Sequence, residues 1–281
     1  MIDWFKGRKL VIATKHKKET VIAPILEKEL GVECFVPDDF DTDVLGTFSG
    51  EIERKDGPMA TAKLKCLMAM EKTNCDLSIA SEGSFGPHPT IFMAHADDEF
   101  LLLIDKKNDL EIIVRELSLD TNFNATTVSS FQNLVDLVKN VGFPEHAVIL
   151  KIAEKEVTSA VKGIQSWELL EASYNKLSTN NSQVVAETDM RAMYNPTRMK
   201  VIEKATRKLV EKIKSQCPNC NTPGFGVVKS KSGLPCEWCG SPTNSILSHI
   251  YQCQKCNFEQ EKHFPNDKKT EDPMYCDHCN P

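Results

Sequence analysis

The chain has 281 residues, of which 41% are apolar, and a net charge of −6. This size and apolar content suit one α/β domain of about 200 residues followed by a smaller module. No stretch approaches the roughly 18 consecutive apolar residues of a membrane-spanning helix, and residues 1–6 lack the apolar run of a secretion signal. We therefore expect a cytoplasmic protein without a membrane span.

Residues 1–200 alternate strand and helix patterns, which is typical of an α/β fold with helices flanking a mixed sheet. Gly31 is expected to end the first helix, in which Pro24 is tolerated only near the first turn. In the second helix, Ala62, Cys66, Ala69 and Met70 are predicted to face the core. Strands are predicted at 9–13, 32–36, 77–80, 99–104, 110–117 and 147–152, and helices at 19–30, 58–70, 131–141 and 167–177.

The first loop with polar chemistry follows the first strand. Its candidate ligand contacts are Thr14, Lys15, His16 and Lys18. A strand-to-helix turn directs backbone N–H groups and the positive end of the helix dipole towards an anion. The sequence therefore predicts a phosphate-binding loop, with a solvated lysine-rich helix start as the alternative.

A second polar loop is predicted at residues 80–89, where two glycines and two prolines indicate a rigid shape. Glu82, expected at the tip of the preceding strand, is the candidate Mg²⁺ ligand or general base. A serine nucleophile, Ser84 with His88, is the rival. We disfavour it because a Gly-x-Ser-x-Gly elbow would need glycine at position 82.

The third loop, residues 186–198, carries Asp189, Arg191 and Arg198. Arginine forks suit phosphate or carboxylate oxygens, and the carboxylate of Asp189 would orient them or hold a metal. A structural ion-pair network is the alternative.

These loops resemble the inosine-triphosphate pyrophosphatase superfamily, which cleaves noncanonical nucleoside triphosphates to monophosphate and pyrophosphate. Residues 13–19, Ala-Thr-Lys-His-Lys-Lys-Glu, resemble its Ala-Thr-x-Asn-x-x-Lys phosphate loop. In this loop His16 replaces the asparagine, and Lys18 would have to supply the lysine. Residues 61–66, Thr-Ala-Lys-Leu-Lys-Cys, resemble its Asn-Ala-x-x-Lys-Ala helix, which gives the lysine role to Lys65.

Two further segments extend this resemblance over roughly residues 8–213. Residues 81–84, Ser-Glu-Gly-Ser, are similar to its acidic loop, above all to the Glu-Gly-Gly of the xanthosine/inosine triphosphatase branch. Residues 196–198, Pro-Thr-Arg, resemble its Ser-His-Arg. The acidic residue before the Asn-Ala helix is missing, and Glu51 or Glu53 would have to replace it. The resemblance also implies a tendency to form homodimers.

The chain as a whole is similar to a bacterial family known only as a domain of unknown function, which carries the same acidic loop and a double zinc tail. That likeness implies no activity.

Between the α/β domain (1–196) and the tail, residues 197–215 are predicted to form a basic linker helix. Met199, Ile202, Leu209 and Ile213 recur there at helical spacing. Its basic face is more typical of a solvated surface than of a contact surface.

The tail, residues 216–281, contains four Cys-x-x-Cys pairs separated by 15, 13 and 19 residues. Two such pairs complete the tetrahedral sulfur shell of a zinc ion, so eight ligands predict two structural zinc ions: Cys217, Cys220, Cys236, Cys239, Cys253, Cys256, Cys276 and Cys279. We expect pairing in sequence, in two zinc ribbons that each contain a small hairpin; interleaved pairing uses the same ligands. Disulfides would need an oxidising compartment.

The tail carries six Lys or Arg against seven Asp or Glu, and a zinc ion with four thiolates adds a formal charge of about −2. A structural or protein-binding role is therefore favoured over nucleic-acid binding, which usually needs a basic cluster.

We thus predict a pyrophosphatase-like α/β domain with a tandem zinc-ribbon module. Its expected activity is Mg²⁺- or Mn²⁺-dependent hydrolysis of a nucleotide or another phosphorylated small molecule. In this hypothesis Glu82 binds the metal or activates water. The charge that develops during the reaction is neutralised by Lys65, Arg191 and Arg198. The alternative is a non-catalytic module that senses a phosphorylated ligand and docks a protein or nucleic acid.

Overall fold

The computed structural model describes residues 4–42, 57–153, 160–179 and 183–281. These ranges contain five α-helices and three β-sheets, which makes a mixed α/β architecture. The chain divides into two compact units, with the boundary between Leu209 and Val210. None of the helices in the described ranges is long and apolar enough to cross a bilayer.

The first sheet has the strand order β2-β1-β3-β4-β5. Strand β1 is parallel to β2 and β3, whereas β3, β4 and β5 are antiparallel to one another. The strands are β1 (Lys9–Ala13), β2 (Glu33–Phe35), β3 (Leu77–Pro87), β4 (His95–Asp105) and β5 (Leu110–Ser118).

Strand β3 is much longer than predicted. Residues 80–87, expected to form a rigid loop, continue the strand and pair with β4 at every position up to Pro87. The glycines and prolines suggested a turn, but an antiparallel partner of equal length supplies the backbone hydrogen bonds. Glu82 therefore lies inside the strand and not at its tip.

Two helices pack on this sheet, α1 (Glu19–Leu30) and α2 (Pro58–Thr73). Gly31 ends α1 as predicted, with a left-handed φ of 67°. Pro24 lies inside α1, beyond the first turn where we expected it, and burial of Ile22, Ile25 and Leu26 maintains the helix around it. The four inward-facing residues predicted for α2 are all buried.

The second sheet is antiparallel, with the order β6-β9-β7-β8. Its strands are β6 (Ala125–Val128), β7 (Val148–Ile152), β8 (Val161–Ile164) and β9 (Val184–Thr188). Helices α3 (Phe131–Asn140) and α4 (Trp167–Leu177) form a core with one face of it. Three of these strands, β6, β8 and β9, were not predicted, because they are short and interrupted by polar residues.

Helix α5 (Pro196–Lys214) leads into a third sheet of antiparallel strands in the order β10-β11-β12. These strands are β10 (Gly226–Ser232), β11 (Ile246–Gln252) and β12 (Glu259–His263). The prediction of a separate hairpin in each of two ribbons is wrong, because one sheet takes strands from all three gaps between the cysteine pairs.

Candidate functional sites: two cysteine centres and a buried charged cluster

The eight tail cysteines gather into two groups of four. Within each group the Sγ atoms all lie within 4.8 Å of one another. The first cysteine centre is Cys217, Cys220, Cys253 and Cys256, and the second cysteine centre is Cys236, Cys239, Cys276 and Cys279.

Sulfur spacing in both centres matches a tetrahedral metal shell. In each centre, two of the distances between Sγ atoms of different Cys-x-x-Cys pairs are 3.6–3.8 Å. A zinc ion with Zn–S bonds of about 2.3 Å separates its ligands by about 3.8 Å, whereas disulfide sulfurs are about 2.05 Å apart. Each centre can therefore hold a metal ion, which is compatible with two structural zinc ions.

The predicted pairing in sequence is wrong: the first Cys-x-x-Cys pair joins the third, and the second joins the fourth. The third sheet causes this interleaving. Gly226, at the start of β10, pairs with Gln252 at the end of β11, which brings the first pair beside the third. Strand β12 then runs back along β11 to Ser248, so the last pair arrives beside the second.

Each Cys-x-x-Cys turn is followed by asparagine or glycine, whose backbone N–H bonds to the carbonyl of the first cysteine at 2.8–3.0 Å. Asn221, Gly240 and Asn257 have φ values of 58°, 72° and 56°. This left-handed conformation favours asparagine and glycine over other residues. The local sequence thus builds the turn that presents both thiolates to one ion.

The pKa values of thiols within one centre are shifted in opposite directions. Hydrogen bonding to Ser241 lowers the pKa of Cys239 to about 6, whereas its neighbour Cys239 raises the pKa of Cys279 to about 12. In the first cysteine centre, Asn219 lowers the pKa of Cys256 to about 6. Adjacent thiols share protons in this way, and a bound zinc ion would replace those protons.

The first unit contains a buried group of charges, formed by Lys18, Asp97, Glu99 and Arg198, which we call the charged cluster. Asp97 and Glu99 are two residues apart on β4, so their side chains point to the same face of the first sheet. Arg198, in the first turn of α5, donates from Nε to Oε1 of Glu99 at 2.7 Å. Both side chains of this ion pair are almost fully buried.

Two contacts fix Arg198 further. Its Nη1 donates to the carbonyl of Met190 at 2.5 Å, and its Cζ lies 5.1 Å from the ring centre of Phe85. Gly83 makes room for the ion pair, since a Cβ there would lie 2.3 Å from Oε1 of Glu99 and 2.6 Å from Nη2 of Arg198.

Asp97 is the unusual member of the charged cluster. It is completely buried, yet neither carboxylate oxygen has a hydrogen-bond partner among the described residues, and the same holds for Oε2 of Glu99. Burial, reinforced by the charge of Glu99, raises the pKa of Asp97 to about 8. Buried carboxylates without partners are rare in stable proteins and often mark functional sites.

Lys18 reaches the charged cluster from the start of α1. Its Nζ donates to Oγ and to the carbonyl of Ser81, at 2.9 and 3.2 Å. Burial lowers the pKa of Lys18 to about 8, and the positive charge of Arg198 is the second largest cause of this shift.

The family model described as "Domain of unknown function (DUF6671)" matches residues 65–281. The chain belongs to the DUF6671 family. The match includes both cysteine centres and three members of the charged cluster, whereas Lys18 precedes it. A comparison with curated proteins gives no match. The resemblance to a family described as a domain of unknown function is confirmed.

In this DUF6671 protein, Glu82 and Lys65 form a buried ion pair with each other. Their charges also act on Lys18 of the charged cluster. Because side chains alternate along β3, Glu82 and the half-buried Ser84 point to the α2 side of the sheet, opposite Gly83. Glu51 and Glu53, the proposed substitutes for the missing acidic residue, lie outside the described residues.

The candidate residues of the first loop differ in their environments. Lys18 points into the charged cluster, and Thr14 is buried with its Oγ1 unpartnered among the described residues. Lys15 is exposed and pairs with Asp41 at 2.8 Å. His16 is half-buried.

Asp189 and Arg191 lie beside the second sheet. Arg191 donates to the buried Asp189 from Nε at 3.0 Å and from Nη2 at 2.6 Å. Asp189 also accepts the backbone N–H of Gly163 at 3.1 Å. The ion-pair network considered as an alternative for this loop therefore exists.

Sequence reasoning missed Asp97 and Glu99 as site residues because it began the strand at Glu99. The run His95-Ala-Asp-Asp-Glu99 contained the signal: two acids separated by one residue point to the same face of a strand.

Proposed function

We propose that the first unit of this DUF6671 protein is a Mg²⁺- or Mn²⁺-dependent hydrolase of a nucleotide or another phosphorylated small molecule, and that its site is the charged cluster. Asp97 carries the proposal: its carboxylate is fully buried, has no hydrogen-bond partner among the described residues, and lies beside Glu99 and within electrostatic reach of Lys18 and Arg198. The resemblance of the loops around Lys18 and Arg198 to the inosine-triphosphate pyrophosphatase superfamily supports it.

The charges within the charged cluster balance when all four groups are ionised: two cations face two carboxylates. A divalent ion alone would leave an excess of positive charge, and a phosphate group alone an excess of negative charge. A metal–phosphate complex avoids both. The oxygens of Asp97 and Oε2 of Glu99 are the hard donors that Mg²⁺ and Mn²⁺ prefer.

The chain's own residues then have distinct roles. Arg198, fixed by Glu99 and Met190, would stabilise negative charge on the phosphoryl oxygens without reorganising. Asp97 would hold the divalent ion through its carboxylate oxygens, together with Oε2 of Glu99. When bound, the divalent ion supplies Lewis-acid polarisation of a phosphoryl oxygen.

The proposed reaction takes place at the charged cluster and not at Glu82, the metal ligand or general base that the sequence favoured. The carboxylate of Glu82 is held by Lys65 on the α2 side of the sheet. We propose that this pair stabilises the packing of α2 beneath the site.

Release of phosphate and pyrophosphate from a panel of standard and noncanonical nucleoside triphosphates, with Mg²⁺ or Mn²⁺, tests the proposal. Asp97→Asn should abolish turnover. The matched control is Asp98→Asn, because the adjacent Asp98 points to the other face and pairs with Arg115 at the surface. No turnover by folded, zinc-loaded wild-type protein across the panel would refute triphosphatase activity.

A second candidate is a non-catalytic module that senses a phosphorylated ligand and docks a protein through the cysteine tail. Trp238, Met274 and Tyr275 favour it, since they are 80%, 59% and 60% exposed and adjoin the second cysteine centre. Cross-linking of a defined partner that is lost in Trp238→Ser, together with ligand binding without turnover, would support this function over hydrolysis.

A further inference from the structure

The face of the first sheet that carries the charged cluster continues into aromatic side chains. Phe85 on β3 lies directly opposite Asp97 on β4, and His95 precedes Asp97 by two residues on the same strand. Opposite residues of an antiparallel pair share a face, and so do residues two apart along one strand. Phe85 and His95 therefore lie on the same face as Asp97, and His95 is about 7 Å from it along β4.

Phe123, from the segment between β5 and β6, completes a group of three rings, Phe85, His95 and Phe123, which we call the aromatic rim. The ring of Phe123 is stacked on that of Phe85 with their centres 6.0 Å apart, and it meets the ring of His95 edge-on at 5.3 Å. The ring centre of Phe85 lies 5.1 Å from Cζ of Arg198. The aromatic rim thus adjoins the charged cluster at both Asp97 and Arg198.

Exposure increases from the charged cluster towards the aromatic rim. Asp97 is completely buried, Phe85 and Phe123 are half-buried, and His95 is exposed. Residues 83–96 contain no Asp, Glu, Lys or Arg, so this part of the β3–β4 hairpin offers a ligand rings and not ion pairs. A ligand that reaches Asp97 with a phosphate group meets the aromatic rim with its other end.

The rings of the aromatic rim are held in place before any ligand arrives. Phe123 contacts both of the other rings, at centre distances within the 4.5–7 Å range of favourable aromatic pairs. Rings fixed in this way lose little side-chain entropy when a further ring stacks on them. Stacking of a base on one aromatic side chain typically strengthens binding by about fivefold to a hundredfold.

We propose that the aromatic rim stacks on an aromatic ring of the substrate, so that the substrate of the charged cluster is a nucleotide and not a phosphorylated molecule without a ring. The base packs against His95 and Phe123, and the phosphate groups extend past Phe85 to Asp97 and Arg198. The sugar spans the short distance between them. This inference rests on the hydrolase function proposed above and specifies its substrate class.

Steady-state hydrolysis of nucleoside triphosphates and of inorganic tripolyphosphate tests the proposal on the full-length, zinc-loaded protein with Mg²⁺ or Mn²⁺. Tripolyphosphate has the same phosphoanhydride bonds but no ring, and we expect its KM to exceed that of the preferred nucleotide by at least about fivefold. His95→Ala and Phe123→Leu should each raise the KM of the nucleotide by about fivefold or more and leave that of tripolyphosphate unchanged. His95→Phe, which restores a ring, should retain the low KM of the nucleotide.

Phe92→Ala is the matched control. Phe92 lies in the loop between β3 and β4 and is 92% exposed, but it is not part of the aromatic rim. Its replacement should leave the KM of both substrates unchanged. An increase as large as that of His95→Ala would contradict a specific role for the aromatic rim.

Failure of this inference can be distinguished from failure of the hydrolase function. Hydrolysis of nucleotide and tripolyphosphate with equal KM, or ring variants that change neither value, would overturn the inference and leave the hydrolase function intact.

Hydrolysis of neither compound would refute the hydrolase function, and ligand-observed NMR with a β,γ-methylene nucleoside triphosphate then tests the aromatic rim alone. Binding that is weakened in both His95→Ala and Phe123→Leu would support base stacking at the aromatic rim. Undiminished binding in these variants, or no binding to wild type at millimolar ligand, would overturn it.

Discussion

The cysteine centres and the charged cluster both gather buried polar groups, but they do so over very different distances along the chain. Each cysteine centre is assembled from two local Cys-x-x-Cys turns, so most of its geometry is determined by the five residues of each turn. The charged cluster joins Lys18, Asp97, Glu99 and Arg198 from three elements. Its geometry depends on the register of β3 with β4 and on the position of α5. Local chemistry can be inferred from spacing, whereas long-range pairing cannot.

Zinc stoichiometry gives the largest expected effect and tests the interleaved pairing directly. Cys220→Ser with Cys253→Ser removes two ligands of one ion, so the protein should retain one zinc ion. Cys220→Ser with Cys239→Ser removes one ligand from each ion, so both should be weakened or lost. Because zinc binding contributes about 10–16 kcal/mol to small zinc modules, loss of both should unfold the tail, as measured by zinc content and proteolysis. Pairing in sequence would give the opposite result for the two double variants.

Breaking the ion pair of the charged cluster comes next. Glu99→Gln leaves the guanidinium of Arg198 buried without its counter-ion, and we expect a loss of about 3–5 kcal/mol in unfolding free energy. Asp98→Asn breaks the more exposed pair with Arg115 and should cost at most about 1 kcal/mol. Urea denaturation of both variants measures the difference, and equal losses would contradict the importance of burial.

Gly83→Ala should destabilise by about 1–3 kcal/mol, because the added methyl group overlaps the buried Glu99–Arg198 pair. Gly86→Ala is the control on the same strand, since a Cβ there meets no atom within 4 Å. Thermal denaturation distinguishes them. A Gly83→Ala variant as stable as Gly86→Ala would show that the ion pair is less closely packed against β3.

The stability of the protein should also depend on pH through Asp97. The pKa of Asp97 is raised from 3.8 to about 8 in the folded state, so between these values the folded protein binds more protons than the unfolded chain. Its contribution to stability is fully present below pH 4 and is lost as pH rises towards 8. Asp97→Asn should therefore be more stable than wild type at pH 8 and similar to it at pH 4. Urea denaturation at both pH values, without added Mg²⁺ or Mn²⁺, measures this. An unchanged pH dependence would show that Asp97 is already ionised in the folded protein.

Several elements of the fold could be predicted because their signals are local. The helix that ends at Gly31, the inward face of α2 and the limits of α4 follow from periodicity and from residues at helix ends. Helix α4, for example, begins after Ser166, whose Oγ accepts the N–H of Leu169. Strands β6, β8 and β9 could not be predicted, because their partners, and not their own short sequences, supply the burial that stabilises them.

The sequence by itself indicated the eight cysteines of the two centres, the alternation of strands and helices in the first 200 residues, and Lys18 and Arg198 as cations of a candidate site. The tertiary structure alone decided which cysteines form each centre, because the return of β11 and β12 along β10 sets which turns meet. It also decided that Glu82 and Arg198 point to opposite faces of one sheet, since residues 80–87 become a strand only when β4 pairs with them. Spacing along a chain fixes what a short segment can bind, and strand pairing fixes which segments meet.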